Sequence, residues 1–280
     1  MGFGAKRAGR WLLLTGVLFL AACAHAKKEA PLEQRSPAQI FKLAENQLAT
    51  KKPADAAKTF TEVERLYPYS DWAKRSIVMS AYAYSKAKKY PEARAAAQRY
   101  LDFYPADEDA AYAQYLVALS YYDQIDSVDR DQGNTFQALQ ALRVVIERYP
   151  DSKYAESAKL KFDLAIDHLA GKEMQVGRYY LKRGFYTAAI NRFRVVVEQY
   201  QTTTHTPEAL YRLIEAYLSL GLTDEAQTAG AILGHNFQSS VWYRDGYALL
   251  TGKGLEAKSR GKGNGWLAKV YRRVLKGAWL

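Results

Sequence analysis

Few side chains in this 280-residue chain could do chemistry, and their spacing argues against most of it. There is one thiol, Cys23; a lone cysteine can neither close an internal disulfide nor build a multi-thiolate metal or iron–sulfur site. The four histidines, His25, His168, His205 and His235, are scattered with no pair at ligand spacing, so metal catalysis has no support. Gly252-Lys253 invites comparison with a phosphate loop. Gly246, however, lies one residue too far upstream, and Gly254 stands where Ser or Thr must hold magnesium. Gly261, Gly263 and Gly265 do not follow a strand, so a dinucleotide fingerprint fails as well. Asp126, Asp129 and Asp131 recur in a polar stretch, but the glycine and distal glutamate of a calcium loop are out of register. These residues predict a non-enzymatic binding scaffold with no metal and no cofactor.

The thiol has another use. Lys6, Arg7 and Arg10 precede the apolar run from Trp11 to Leu20, which is shorter than the ~20 residues of a transmembrane helix. Residues 1–22 therefore read as a signal peptide. Leu20-Ala21-Ala22-Cys23 resembles the lipobox of bacterial lipoproteins. That resemblance implies cleavage before Cys23, a thioether-linked diacylglycerol on its sulfur and acylation of the new amine. Several acyl chains at ~0.8 kcal/mol per buried methylene give a durable anchor without a membrane span. Ala24, where an aspartate would signal inner-membrane retention, implies the outer membrane. Residues 23–36, with Lys27, Lys28, Glu29, Pro31 and Glu33, lack apolar periodicity and read as a tether.

The elements that follow are repetitive. Tyr67-Pro68, Tyr104-Pro105 and Tyr149-Pro150, with Tyr200-Gln201 as a degenerate fourth, align a common pattern. It is a small residue, an aromatic three later, a turn, an alanine, a large apolar residue and the closing pair. Ala81, Tyr84, Ala93 and Ala97 show it before Pro105; Gly177, Tyr180, Gly184, Ala189 and Phe193 show it before Gln201. This resembles the tetratricopeptide repeat. Small residues let helix axes approach, aromatics fill the gaps, and proline cannot extend the helix it follows. The expected fold is all-α, a solenoid of five helix pairs: 37–50 with 53–67, 71–88 with 91–104, 108–124 with 134–149, 153–183 with 185–199, and 206–220 with 222–233. A covering helix is expected within 239–250, which completes a repeat unit over 37–250. A polar insertion, 124–134, interrupts the third pair.

The repeat's resemblance also implies which turns line its groove: Phe41, Glu45 and Leu48, then Arg75, Val78, Tyr82 and Lys86, then Tyr112, Tyr115, Leu119 and Tyr122. Aromatics with two cations suit an extended peptide bearing aromatic side chains and a free carboxylate, which Arg75 or Lys86 would pair.

Taken together, the lipobox, the short tether, five repeats opening Ser-Pro-Ala-Gln-Ile-Phe-Lys-Leu-Ala and the Tyr-Pro-x-Ser closings at 67–70 and 149–152 resemble the BamD family. These are lipoproteins of the outer-membrane β-barrel assembly (BAM) machinery. The resemblance covers residues 20–240. It implies a lipid-anchored scaffold on the periplasmic face of the outer membrane whose first repeats receive unfolded barrel precursors. Its last repeats would dock the periplasmic POTRA domain of BamA, alongside the other lipoproteins of the complex. It also implies that Arg192, on the second helix of the fourth repeat, contributes to the BamA contact. The alternative is another envelope tetratricopeptide lipoprotein, an adaptor for cell-wall hydrolases or division proteins.

The net charge of +11 localises at the ends. Residues 1–22 carry +3 and residues 251–280 carry +7, leaving +1 on residues 23–250. The solenoid thus gives no reason to expect nucleic acid. Residues 251–265 read as a flexible basic linker. Residues 266–280 place Trp266, Leu267, Val270, Tyr271, Val274, Leu275 and Trp279 to one side, with Lys269, Arg272, Arg273 and Lys276 elsewhere. That pattern predicts a basic amphipathic helix, free to lie on an anionic membrane or in a partner's groove.

Overall fold

The computed structural model describes residues 31–258 and 264–280; the expected signal peptide and Cys23 lie outside them. Twelve α-helices and no strand occur among the described residues. They are α1 (Pro37–Ala49), α2 (Pro53–Leu66), α3 (Asp71–Lys86), α4 (Tyr90–Phe103), α5 (Ala110–Tyr122) and α6 (Gly133–Arg148). After these come α7 (Ala155–Lys182), α8 (Tyr186–Gln199), α9 (Thr206–Ser219), α10 (Thr223–Asn236), α11 (Val241–Thr251) and α12 (Trp266–Leu275). Each helix from α1 to α10 packs on the next as five antiparallel pairs. The odd-numbered helices also touch across pairs, α1 with α3 through α9 with α11, forming one continuous inner layer. The fold is a tetratricopeptide-type solenoid closed by α11.

Two recurrent turns build it. Within pairs, Lys51, Lys88, Gly184 and Gly221 adopt left-handed φ values of 59°, 59°, 76° and 73°. The next residue's N–H then donates to a carbonyl five residues back, as Lys89 does to Tyr84 at 2.9 Å. This closure satisfies the last carbonyls of the first helix. Between pairs, Tyr67, Tyr104, Tyr149, Tyr200 and Phe237 end the second helices at φ near −130°. Each carbonyl accepts the N–H three residues on, from Ser70, Asp107, Ser152, Thr203 and Ser240. Phe237 is thus a fifth closure, and like Tyr200 it lacks the proline by which the first three are recognised. Ser70 and Ser240 also cap α3 and α11, accepting from the N–H groups of Ala73 and Tyr243 at 3.1 Å.

The small residues of the repeat sit at the crossings. Ala44, Ala56, Ala81, Ala93, Ala118, Ala138 and Ala189 are fully buried. A Cβ on Gly177 would lie 2.4 Å from the Phe193 ring, so this crossing admits no side chain at all. The insertion after α5 lies against the middle of the 28-residue α7, with Lys172 Nζ donating to the Asp129 carbonyl at 3.0 Å. Its aspartates are turn acceptors, Asp131 taking the Gly133 N–H at 2.8 Å.

Three expectations are corrected. The end of the tether, residues 31–36, folds onto the first pair: Leu32 packs against its core, and Tyr67 Oη donates to the Arg35 carbonyl at 2.6 Å. Residues 251–258 are likewise anchored rather than a free linker, since Glu256 accepts from Gln227 at 3.0 Å and Ala257 packs on Gly230. The amphipathic helix is not free either. Leu267, Val270, Val274 and Trp279 are buried in the core of the last repeats, and the Trp279 indole donates to the Val197 carbonyl of α8 at 3.2 Å. The apolar side that a membrane would take is therefore spent on the solenoid except at Leu275, which is 57% exposed.

Candidate functional site

The inner layer displays an aromatic ledge with cations set against its rings. On α3, Lys86 Nζ lies 5.3 Å from the centroid of the half-buried Tyr82 ring. On α5, Tyr112 is half-buried and stacks on Tyr154 at 5.0 Å and 22°. One helix further, Lys161 of α7 covers Tyr122 at 5.2 Å. Arg75 is exposed, with its guanidinium 5.6 Å from the Trp72 ring. Each cation gains from the ring quadrupole while keeping donors for a ligand. Desolvation raises the Asp123 carboxyl above its ordinary range, opposed by Lys161 and Lys86, so an acid sits between the two cations. Burial also raises the Tyr112 hydroxyl, keeping it a neutral donor.

Three residues expected in the groove serve packing instead. Phe41 is 8% exposed, wedged at 5.0 Å against both Phe60 and Trp72. Tyr115 is 9% exposed, stacked on Tyr154 at 5.3 Å with its hydroxyl 2.7 Å from Ser157 Oγ. Val78 is buried as well. The cause is common to all three: these positions face the next pair, and filling that gap removes more apolar surface from water than facing a groove would. Arg75, Tyr82, Lys86, Tyr112 and Tyr122 remain on the ledge. Arg192 is exposed on α8, donating to Glu173 of α7 at 3.2 Å. Cys23 lies outside the described residues.

Tyr154 and Lys161 escape the sequence reading, yet a signal for Tyr154 exists. Five residues after each closing aromatic stand Trp72, Asp109, Tyr154, His205 and Trp242. Trp72, Tyr154 and Trp242 pack on aromatics of the preceding inner helix, Trp242 on Tyr211 at 5.4 Å. At the other two boundaries the latch is polar. Asp107 accepts from Lys74 and from the buried Tyr100 hydroxyl, and Asp167 accepts from Thr204 N and Oγ1 at 2.9 and 2.7 Å.

No group of three or more His, Cys, Asp or Glu side chains among the described residues could hold a metal. The arrangement is suited to gripping a chain, with flat rings for apolar side chains and cations for a carboxylate. Comparison with known proteins gives this architecture its relatives. The family YfiO, described as an outer membrane lipoprotein, matches residues 33–232, which takes in all of the helix pairs but the end of α10. The chain belongs to this family.

Its relatives are named outer membrane protein assembly factor BamD. That of Caulobacter vibrioides is 48% identical over 84% of this chain and 78% of its own. That of Rickettsia prowazekii is 44% identical over 72% and 81%, and that of Neisseria meningitidis serogroup A is 33% identical over 80% and 89%. A tetratricopeptide-repeat protein of Thermus thermophilus is a distant structural neighbour at a TM-score of 0.36 and 18% identity, too loose a likeness to carry an argument. The matched family range ends inside α10, so α11 and α12 lie beyond it.

Proposed function

We propose that this family member is a non-enzymatic scaffold, anchored by lipid on Cys23 to the periplasmic face of the outer membrane. Its inner ledge receives the C-terminal segment of unfolded barrel precursors, and its fourth and fifth repeats hold the periplasmic POTRA domain of BamA. The observation that carries the first role is the run of Tyr82–Lys86, Tyr112–Tyr154 and Tyr122–Lys161 along adjacent inner helices. Rings at successive helices can take alternate side chains of an extended peptide, and Lys86, Lys161 or Arg75 can pair its terminal carboxylate. Arg192 supports the second role by its exposure on α8, where Glu173 steadies it for a partner. Neither role requires turnover chemistry, in keeping with the names of the relatives.

A photocrosslinker at Tyr82 or Arg75 should trap the C-terminal segment of a barrel precursor; capture of BamA alone at these positions would remove the ledge assignment. Arg192→Glu should reduce co-purification with BamA at least tenfold, and unchanged recovery would strike Arg192 from the contact. Cys23→Ser should release the protein from the outer-membrane fraction.

A further inference from the structure

The far end of the solenoid carries a second surface, separate from the ledge. Helix α12 spends its apolar side on the solenoid, with Leu267, Val270 and Val274 buried and Trp279 locking the chain after it to Val197. Its opposite side holds Lys269, Arg273 and Lys276 exposed and Arg272 half-buried. Together with Glu198 of α8, these four cations line a cavity of about 390 Å³. Glu198 is the one acidic lining residue, and Arg194 already binds it at 2.6 Å. Residues 264–280 carry these four cations and no Asp or Glu, so the segment that lines the cavity brings no acidic side chain of its own.

We propose that this cavity is a docking site for an acidic segment of a partner protein, a projecting turn or helix end bearing two or more Asp or Glu side chains. Lys269, Arg273 and Lys276 outnumber the one engaged carboxylate and call for an anionic occupant, and Arg273 can take a carboxylate through paired N–H donors. The concavity selects a projecting segment over the flat plane of a bilayer. A helix resting on a membrane needs its apolar side at the acyl boundary, and here all of that side but Leu275 is packed on protein. The carboxylate of Glu198 opposes a phosphate headgroup but can accept from the N–H groups of a polypeptide, so the mixed charge also favours protein.

The test uses the full-length, membrane-anchored protein with a photoreactive residue at Lys276, and its crosslinks are mapped by mass spectrometry. A crosslink to a segment with at least two acidic residues is expected, and Lys269→Glu with Arg273→Glu should lower its yield tenfold or more. Lysines substituted for the acids of the captured segment should restore it. Both cations lie outside the packed side of α12, so the melting temperature should stay put; Lys269→Gln with Arg273→Gln serves if the reversal perturbs folding. Phosphatidylglycerol vesicles form the second arm. Vesicle binding abolished by the same substitutions without a protein crosslink would overturn the proposal in favour of a membrane. A crosslink insensitive to charge reversal, or none, would overturn it outright. Precursor capture at Tyr82 should be unaffected throughout, so failure here leaves the ledge reading standing.

Discussion

At the scale of single residues, Gly177 and Lys88 show how the repeat pattern is enforced by sterics. The Phe193 ring is fully buried and leaves no room for a methyl on Gly177. Gly177→Ala should therefore destabilise the fold by about 1–3 kcal/mol, despite alanine's better helix propensity. Chemical denaturation measures this, and a neutral or stabilising effect would show that the crossing can relax. Lys88 presents the reverse case, a side chain at φ 59° where the fourth and fifth pairs use glycine. Lys88→Gly should raise stability by up to about 1 kcal/mol, read as a higher melting temperature. Gly177 is legible in sequence because a small residue at a crossing has one physical reason to be there, whereas Lys88, expected inside a helix over 71–88, is a lysine in a left-handed turn that no local signal announces. The division of Phe41 from Arg75 was not legible. Both lie on first helices in a groove register, and only the presence of Trp72 between them decides that one is buried and the other exposed.

At the scale of elements, α12 is where sequence pattern and outcome part. Its amphipathic period is plain, but periodicity says only that an apolar side will be buried, not against what. The partner is formed by α8 and α10, more than twenty residues away in the chain, and no local signal announces it. The insertion follows the same logic, since its polarity is evident while its anchorage to Lys172 is not. Helix α12 should behave as part of the last repeats. Trp279→Ala removes a buried indole and its hydrogen bond to Val197, and a loss of about 3–5 kcal/mol is expected. Hydrogen exchange localises the effect: protection should fall in α8 and α10 as well as α12. Loss confined to α12 would mean that the helix merely rests on the solenoid.

At the scale of the whole molecule, the five boundaries share apolar helix packing and differ in their latches. Aromatic latches close the first, third and last boundaries, around Trp72, Tyr154 and Trp242. Carboxylates close the second and fourth, around Asp107 and Asp167. Desolvation works against the Asp107 charge, but hydrogen bonds from Lys74, Tyr100 and the Asp109 N–H outweigh it and hold the carboxyl below its ordinary range. A depressed carboxyl pKa contributes stability that is fully present above the unfolded value and is lost as pH falls through the folded one. Acid should therefore open the boundary between α4 and α5 before that between α6 and α7. Asp107→Asn should open it at neutral pH and flatten the acid limb. Exchange kinetics of α4 and α5 against pH decide the matter, and identical acid profiles at both boundaries would refute it.

That second boundary runs between the two halves of the ledge, Tyr82 and Lys86 on one side, Tyr112, Tyr122 and Lys161 on the other. The ledge is thus a caliper whose jaws belong to different repeats. Besides the apolar packing of that boundary, its span depends on the grip of one carboxylate on one lysine and one tyrosine, none of which belongs to the ledge itself.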